Sequence, residues 1–82
     1  MPTITGLPDR YRFFFYSIDC NEPTHVHVRR DDAECKFWLE PVRIGFNYRF
    51  GSIELRRIRN IILEYRPRIL ETWREHCRSA EK

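Results

Sequence analysis

Two histidines separated by one residue are the side chains of this sequence best suited to chemistry. His25 and His27 alternate with Val26 and Val28 in a run that follows Pro23-Thr24. Side chains on a β-strand alternate between its two faces, so a strand here would place both imidazoles on one face and both valines on the other. Imidazole exchanges protons near neutral pH, contacts phosphate and ligates metals. The run therefore predicts proton transfer, phosphate contact or metal binding at the histidine face.

The most specific chemistry that this pair predicts is cleavage of RNA without a metal ion. The 2′-hydroxyl of RNA attacks the adjacent phosphate when one group removes its proton and another protonates the leaving oxygen, and His25 and His27 are predicted to fill these two roles. Lys36 is predicted as the catalytic cation that stabilises charge on phosphorus, with Arg29 as its alternative. Arg29 and Trp38 are predicted to contact the nucleic acid, with the indole stacked on a base. The alternative interpretation is that this face packs under the C-terminal helix and that both histidines are only hydrogen-bonded.

A metal site is the second interpretation of the histidine pair. Two histidines two positions apart on a strand can chelate zinc, but a zinc site needs at least a third protein ligand. The candidates for that ligand have no diagnostic spacing; they are Asp19, Glu22 and His76. We therefore predict neither a metal ion nor another cofactor.

A β-hairpin would position these residues. Around a turn at Asp31-Asp32, Val28 would lie opposite Cys35 and Val26 opposite Phe37, which collects apolar side chains on one face. The opposite face would point outward and would carry His25, His27, Arg29, Glu34, Lys36 and Trp38. A slip of one residue would mix the two faces, so the pattern favours this register.

The remaining patterns place the hairpin in a single α+β domain of residues 1–82. Strands are predicted between about residues 11 and 44, beginning with the aromatic run Tyr11–Tyr16. Pro41 ends the third strand or permits only a short continuation to Ile44 at an edge of the sheet. We therefore expect an antiparallel sheet of three strands, or of four if the chain continues past the proline.

A helical part is predicted over about residues 52–78, where apolar residues recur at helical spacing. Ser52 is the expected N-cap, and Glu54 is favourable in the first turn. Pro67 lacks an N–H and would clash with the preceding turn, at a cost of about 3 kcal/mol in a continuous helix. This predicts a kinked helix or a helix pair that packs on the sheet, with Trp73 in its apolar stripe as a core residue.

Positive charge is concentrated in the helical part. The 82 residues carry a net charge of +3, and residues 51–82, with eight basic and five acidic side chains, account for all of it. Arginine supplies 13 of the 15 basic groups, and its guanidinium matches the geometry of phosphate and carboxylate. We predict that Arg56 and Arg59 contact nucleic acid. An acidic protein partner or a solvated helix face are the alternatives.

The cysteines indicate the compartment. Cys20, Cys35 and Cys77 are odd in number and include no Cys-x-x-Cys pair. We expect no leader segment, and no apolar run approaches the length of about 18 residues that a membrane span needs. We therefore expect unpaired thiols in a reducing cytoplasm, no membrane association, and Cys35 as a small core residue.

Five segments carry a resemblance to a known family. They are Met1–Ile4, Arg12–Ser17, Glu22–Val28, Lys36–Val42 and the helical end with Glu71 and Trp73. Over nearly the whole chain the sequence resembles domain of unknown function family 4160, although Thr24 stands where that family usually has a second proline. The resemblance implies a small bacterial protein that is encoded beside a cognate small protein, in a pair that looks like a toxin–antitoxin module. It implies no catalytic mechanism.

These observations predict a function in one of two classes. The first is a toxin-like member of such a pair, acting on RNA through the His-x-His face. The alternative is a non-enzymatic component that binds a partner protein or nucleic acid, on the antitoxin side.

Overall fold

The computed structural model describes residues 3–4, 6–7, 10–16 and 19–80. In chain order the elements are β1 (Arg12–Phe14), a short 3-10 turn (Asp19–Asn21), β2 (His25–Arg30), β3 (Ala33–Leu39), β4 (Val42–Tyr48), α1 (Ser52–Glu64) and α2 (Arg66–Ala80). The predicted α+β class is confirmed, and the sheet has four strands.

The sheet is an antiparallel meander with the strand order β1-β2-β3-β4. The predicted hairpin register is confirmed, because Val26 pairs with Phe37 and Val28 pairs with Cys35. Asp31 and Asp32 form the tight turn between the two strands. The alternation of β3 between buried and partly buried residues follows from this register, since only one of its faces lies against the core.

The fourth strand is longer than predicted. Glu40 and Pro41 form a turn, and β4 then runs to Tyr48 rather than ending at Ile44. Because the proline lies in the turn, its missing N–H removes no hydrogen bond from the ladder. The register between β3 and β4 shifts at Gly45, where a Cβ would lie only 3.1 Å from the Lys36 side chain, so a glycine permits the close approach of the two strands.

The core lies between the face of the sheet that carries the two valines and the two helices. Ile58, Ile62 and Ile69 are fully buried and belong to one cluster with Val26 and Val28. Trp73 is buried in the same cluster, as its place in the apolar stripe predicted.

Two predictions for the helical part are confirmed, and a third, the identity of the N-cap, was wrong. The chain forms a helix pair, because α1 ends at Glu64 and Pro67 is the second residue of α2, where an N–H has no partner within the helix. Glu54 lies in the first turn of α1 as expected. Ser52 is not the N-cap: Gly51 occupies that position with no side-chain cap, and its carbonyl accepts the Leu55 N–H at 3.0 Å.

The cysteine prediction was wrong for two of the three residues. Cys20 and Cys77, which are 57 residues apart, form a disulfide that ties the end of α2 to the 3-10 turn before β2. Cys35 is a free, buried thiol, as expected for a core residue. In the described part of the chain, neither helix is long and apolar enough to cross a membrane.

Candidate functional site

The two histidines lie side by side on β2, but they are not open to solvent. Their ring centroids are 5.0 Å apart, and they pair across the hairpin with Trp38 and Lys36, as the register predicted. His25 is 0% exposed and His27 is 6% exposed. The expectation of an outward, accessible face is therefore wrong at both imidazoles, because rings from other elements cover them.

Two tryptophans enclose His25. Its ring centroid lies 5.4 Å from that of Trp38 on β3 and 5.2 Å from that of Trp73 on α2. Its Nδ1 donates a hydrogen bond of 2.8 Å to the carbonyl of Pro23. The C-terminal helix thus reaches this histidine, which is the arrangement that the packing interpretation predicted.

Aromatic rings from three segments surround His27. Phe14 stacks on it at 5.5 Å between centroids, Tyr16 meets it edge-on at 4.6 Å, and Phe46 of β4 lies at 6.1 Å. Phe14 is itself fully buried. The imidazole is therefore a packed element of this face, and a reacting phosphate would have to displace an aromatic neighbour to reach it.

Glu34 is a charged residue whose carboxylate lies close to three side chains of this region, and sequence reasoning gave it no functional role. Its carboxylate accepts a hydrogen bond of 3.1 Å from the Tyr16 hydroxyl and forms an ion pair of 3.1 Å with Arg29. His27 Nδ1 lies 3.6 Å from the same carboxylate. The half-exposed guanidinium of Arg29, predicted to contact nucleic acid, is thus already paired with a protein carboxylate. The register itself was the available signal, because it sets Arg29 opposite Glu34.

Lys36 and Trp38 are also engaged with protein groups. Lys36 Nζ lies 3.1 Å from a carboxylate oxygen of Glu22 and 4.3 Å from the centroid of the Trp38 ring. The ammonium occupies one face of the indole, in a cation–π contact. Lys36, which was predicted to stabilise the phosphate, therefore occupies one face of the Trp38 indole, on which a base was predicted to stack.

Arg56 and Arg59 belong to a different surface. They line a groove of about 380 Å³ together with Phe37, Ile44 and Leu55. Phe37 pairs with Val26, so the groove lies between α1 and the face of the sheet that carries the valines, whereas the histidines occupy the other face. The predicted site residues thus form two separate groups. The sequence reasoning missed the apolar floor of the groove, because it did not extend the fourth strand as a full strand.

The candidates for a third metal ligand make other contacts. His76 stacks on Phe15, with ring centroids 5.8 Å apart, and its Nε2 lies 3.3 Å from the carbonyl of Tyr16. Glu22 is bound to Lys36. The side chain of Asp19 lies outside the described part of the structure. Among the described residues, no three His, Cys, Asp or Glu side chains are placed to share a metal ion.

The fold and these two surfaces define a small α+β protein in which a four-stranded meander packs against a pair of consecutive helices. Residues 11–74 match the model of the family described as Domain of unknown function (DUF4160), and the chain therefore belongs to that family. The resemblance noted in the sequence is thus confirmed. Neither the curated proteins nor the solved structures contain a significant match.

Proposed function

We propose that this protein is a non-enzymatic component of a two-protein module of the toxin–antitoxin kind, and that it binds its cognate partner protein in the groove between β4 and α1. The observation that carries the proposal is the composition of that groove. Phe37, Ile44 and Leu55 form an apolar floor, and Arg56 and Arg59 line it as well. Apolar anchors in a pocket, with polar groups around them, are typical of protein–protein recognition.

The burial of the histidines favours binding over catalysis. A general acid or base must lie within hydrogen-bond reach of the substrate, about 3 Å, or act through one water. His25 and His27 are enclosed by aromatic rings, and Lys36 is paired with Glu22. Cleavage of RNA by these residues stays a prediction of the sequence, and the His25→Ala variant described in the Discussion tests it.

The family resemblance supports a small protein encoded by a neighbouring gene as the partner. The resemblance implies that members of the family are often encoded beside another small protein, so the product of the neighbouring gene is the partner that we propose. A cytoplasmic location belongs to the same proposal. The Cys20–Cys77 disulfide weighs against it, since disulfides persist in oxidising compartments.

A pair of matched variants tests the groove. Ile44 and Ile53 are both exposed isoleucines, at 45% and 71%, but only Ile44 lines the groove. We expect Ile44→Asp to weaken binding to the purified neighbouring gene product at least about tenfold, which corresponds to about 1.4 kcal/mol. Ile53→Asp, the control, should leave the affinity within about twofold, since its side chain is outside the pocket. Isothermal titration calorimetry measures both.

Two results would reject this proposal. Equal affinities for Ile44→Asp and the wild-type protein would exclude the groove as the docking surface. Binding of RNA or DNA that weakens steeply with salt, and is lost in Arg56→Glu and Arg59→Glu, would instead support the nucleic-acid alternative.

A further inference from the structure

We propose that an acidic segment of the partner adds to the sheet as a fifth strand along the outer edge of β4. The inference rests on the proposed function, because it specifies how the partner binds beside the groove. The proposed occupant is an extended segment that carries both acidic and apolar side chains on each of its two faces.

The first observation is that the two edges of the sheet differ. At one edge, β1 has only three residues, and the chain already covers part of it through the Thr3–Phe14 bridge and the hydrogen bond from the Ile4 N–H to the Phe13 carbonyl. At the other edge, β4 has seven residues and, within the described chain, pairs only with β3. An open edge of this length presents backbone donors and acceptors that accept an additional strand.

The second observation is that β4 exposes apolar side chains on both of its faces. Ile44, which pairs with Phe37, is directed to the groove side. Phe46 and Tyr48, which pair with Lys36 and Glu34, are directed to the histidine side and are 41% and 55% exposed. A ligand in the groove alone would cover Ile44 only, whereas an added strand would place side chains against both faces.

The third observation is the charge around this edge. Arg43 on β4 and Arg56 and Arg59 on α1 are exposed, and none of them forms an ion pair among the described residues. The described lining of the groove contains no acidic side chain. Unpaired cations on both sides of an open strand favour an occupant with carboxylates, since complementary charges steer association and set the pairing register.

The same charges disfavour a second copy of this chain as the occupant. Pairing of β4 with its own copy would bring the arginine-bearing edges of two molecules together. Like charges placed across an interface oppose association. Self-association is therefore an outcome to be tested, and the acidic partner segment is the proposal.

Hydrogen exchange on the complex with the purified neighbouring gene product tests the strand addition. We expect amides in residues 42–48 to exchange at least about tenfold more slowly in the complex, because added-strand hydrogen bonds protect edge amides. Tyr48→Asp should weaken binding about tenfold or more. Ile53→Asp should not, because Ile53 is also exposed, at 71% against 55% for Tyr48, but lies on α1 rather than on the strand. Raising the salt from about 50 to about 500 mM should weaken binding several-fold, since screening reduces charge attraction.

The outcomes separate this inference from the proposed function. If no complex forms, both fail. If Ile44→Asp weakens the complex but the β4 amides gain no protection and Tyr48→Asp behaves like Ile53→Asp, the partner occupies the groove alone and the strand addition is wrong. Protection of β4 that rises with the concentration of the free protein would identify a second copy as the occupant. Binding that is insensitive to salt would exclude an acidic segment.

Discussion

Replacing His25 with alanine gives the sharpest test of whether the histidine face is structural. On a solvent-exposed strand face this change would alter stability by no more than about 0.5 kcal/mol, as surface substitutions usually do. In the structure the imidazole is fully buried and packs between Trp38 and Trp73. The expected effect is therefore that of a core truncation.

The magnitude follows from the contacts that His25 loses. Truncating a large buried ring to alanine costs about 3–5 kcal/mol for phenylalanine or tryptophan, and the smaller imidazole falls at the lower end of that range. The same change removes the hydrogen bond of 2.8 Å to the Pro23 carbonyl. A bond of this kind contributes about 1 kcal/mol net. We expect a loss of about 3 kcal/mol. Domains of this size have only about 4–12 kcal/mol of stability in total, so the loss is a large fraction.

Urea unfolding followed by tryptophan fluorescence measures this effect directly. The protein has two tryptophans, and both of their rings contact His25, so the native signal itself reports on the site. Arg57→Ala, an exposed change on α1, is the matched control and should stay within about 0.5 kcal/mol. A His25→Ala variant as stable as this control would refute the packing argument. If the same variant also lost an RNA-cleaving activity of the wild-type protein, the catalytic interpretation would be established in its place.

Three further predictions concern the disulfide, the buried thiol and the carboxylate of the histidine face. Cys20→Ser should lower the free energy of unfolding by about 2–4 kcal/mol, because the disulfide closes a loop of 57 residues. An excess of reductant should lower the free energy of unfolding of the wild-type protein by a similar amount and move its urea midpoint to a lower concentration; a midpoint unchanged by reductant would contradict this. Burial, and then the nearby Glu34 charge, raise the pKa of Cys35 to about 12 from 9.0. Without reductant, a thiol reagent at neutral pH should therefore modify Cys35 only after unfolding, and the stability that its neutral thiol contributes should be complete below pH 9 and lost as the pH rises towards 12. Rapid labelling of the native protein would show that the thiol is accessible. A double-mutant cycle of Glu34→Gln with Arg29→Ala should give a coupling of only about 0.5 kcal/mol, because Arg29 is half-exposed; a coupling above about 2 kcal/mol would mean that the ion pair is shielded from water.

The sequence by itself determined the local geometry of the hairpin and the break between the helices. The alternation of valine and histidine on one strand and of Cys35 and Phe37 on the next leaves one register that keeps the apolar set together, and this is the register observed. Pro67 interrupts a continuous helix because its ring lacks an N–H and clashes with the preceding turn. This effect is local, so the position of the break between the helices could be predicted without knowledge of distant contacts.

Only the tertiary structure decided what covers each face. His25 is buried because Trp73 of α2 packs against it. His27 is buried because Phe14 of β1, Tyr16 just after β1 and Phe46 of β4 pack around it. These contacts join segments far apart in the chain, and strand periodicity reports which side chains share a face but not whether another element covers that face. The Cys20–Cys77 bond and the groove beside Ile44 depend in the same way on how the helices close over the sheet, since their residues become neighbours only once the elements pack.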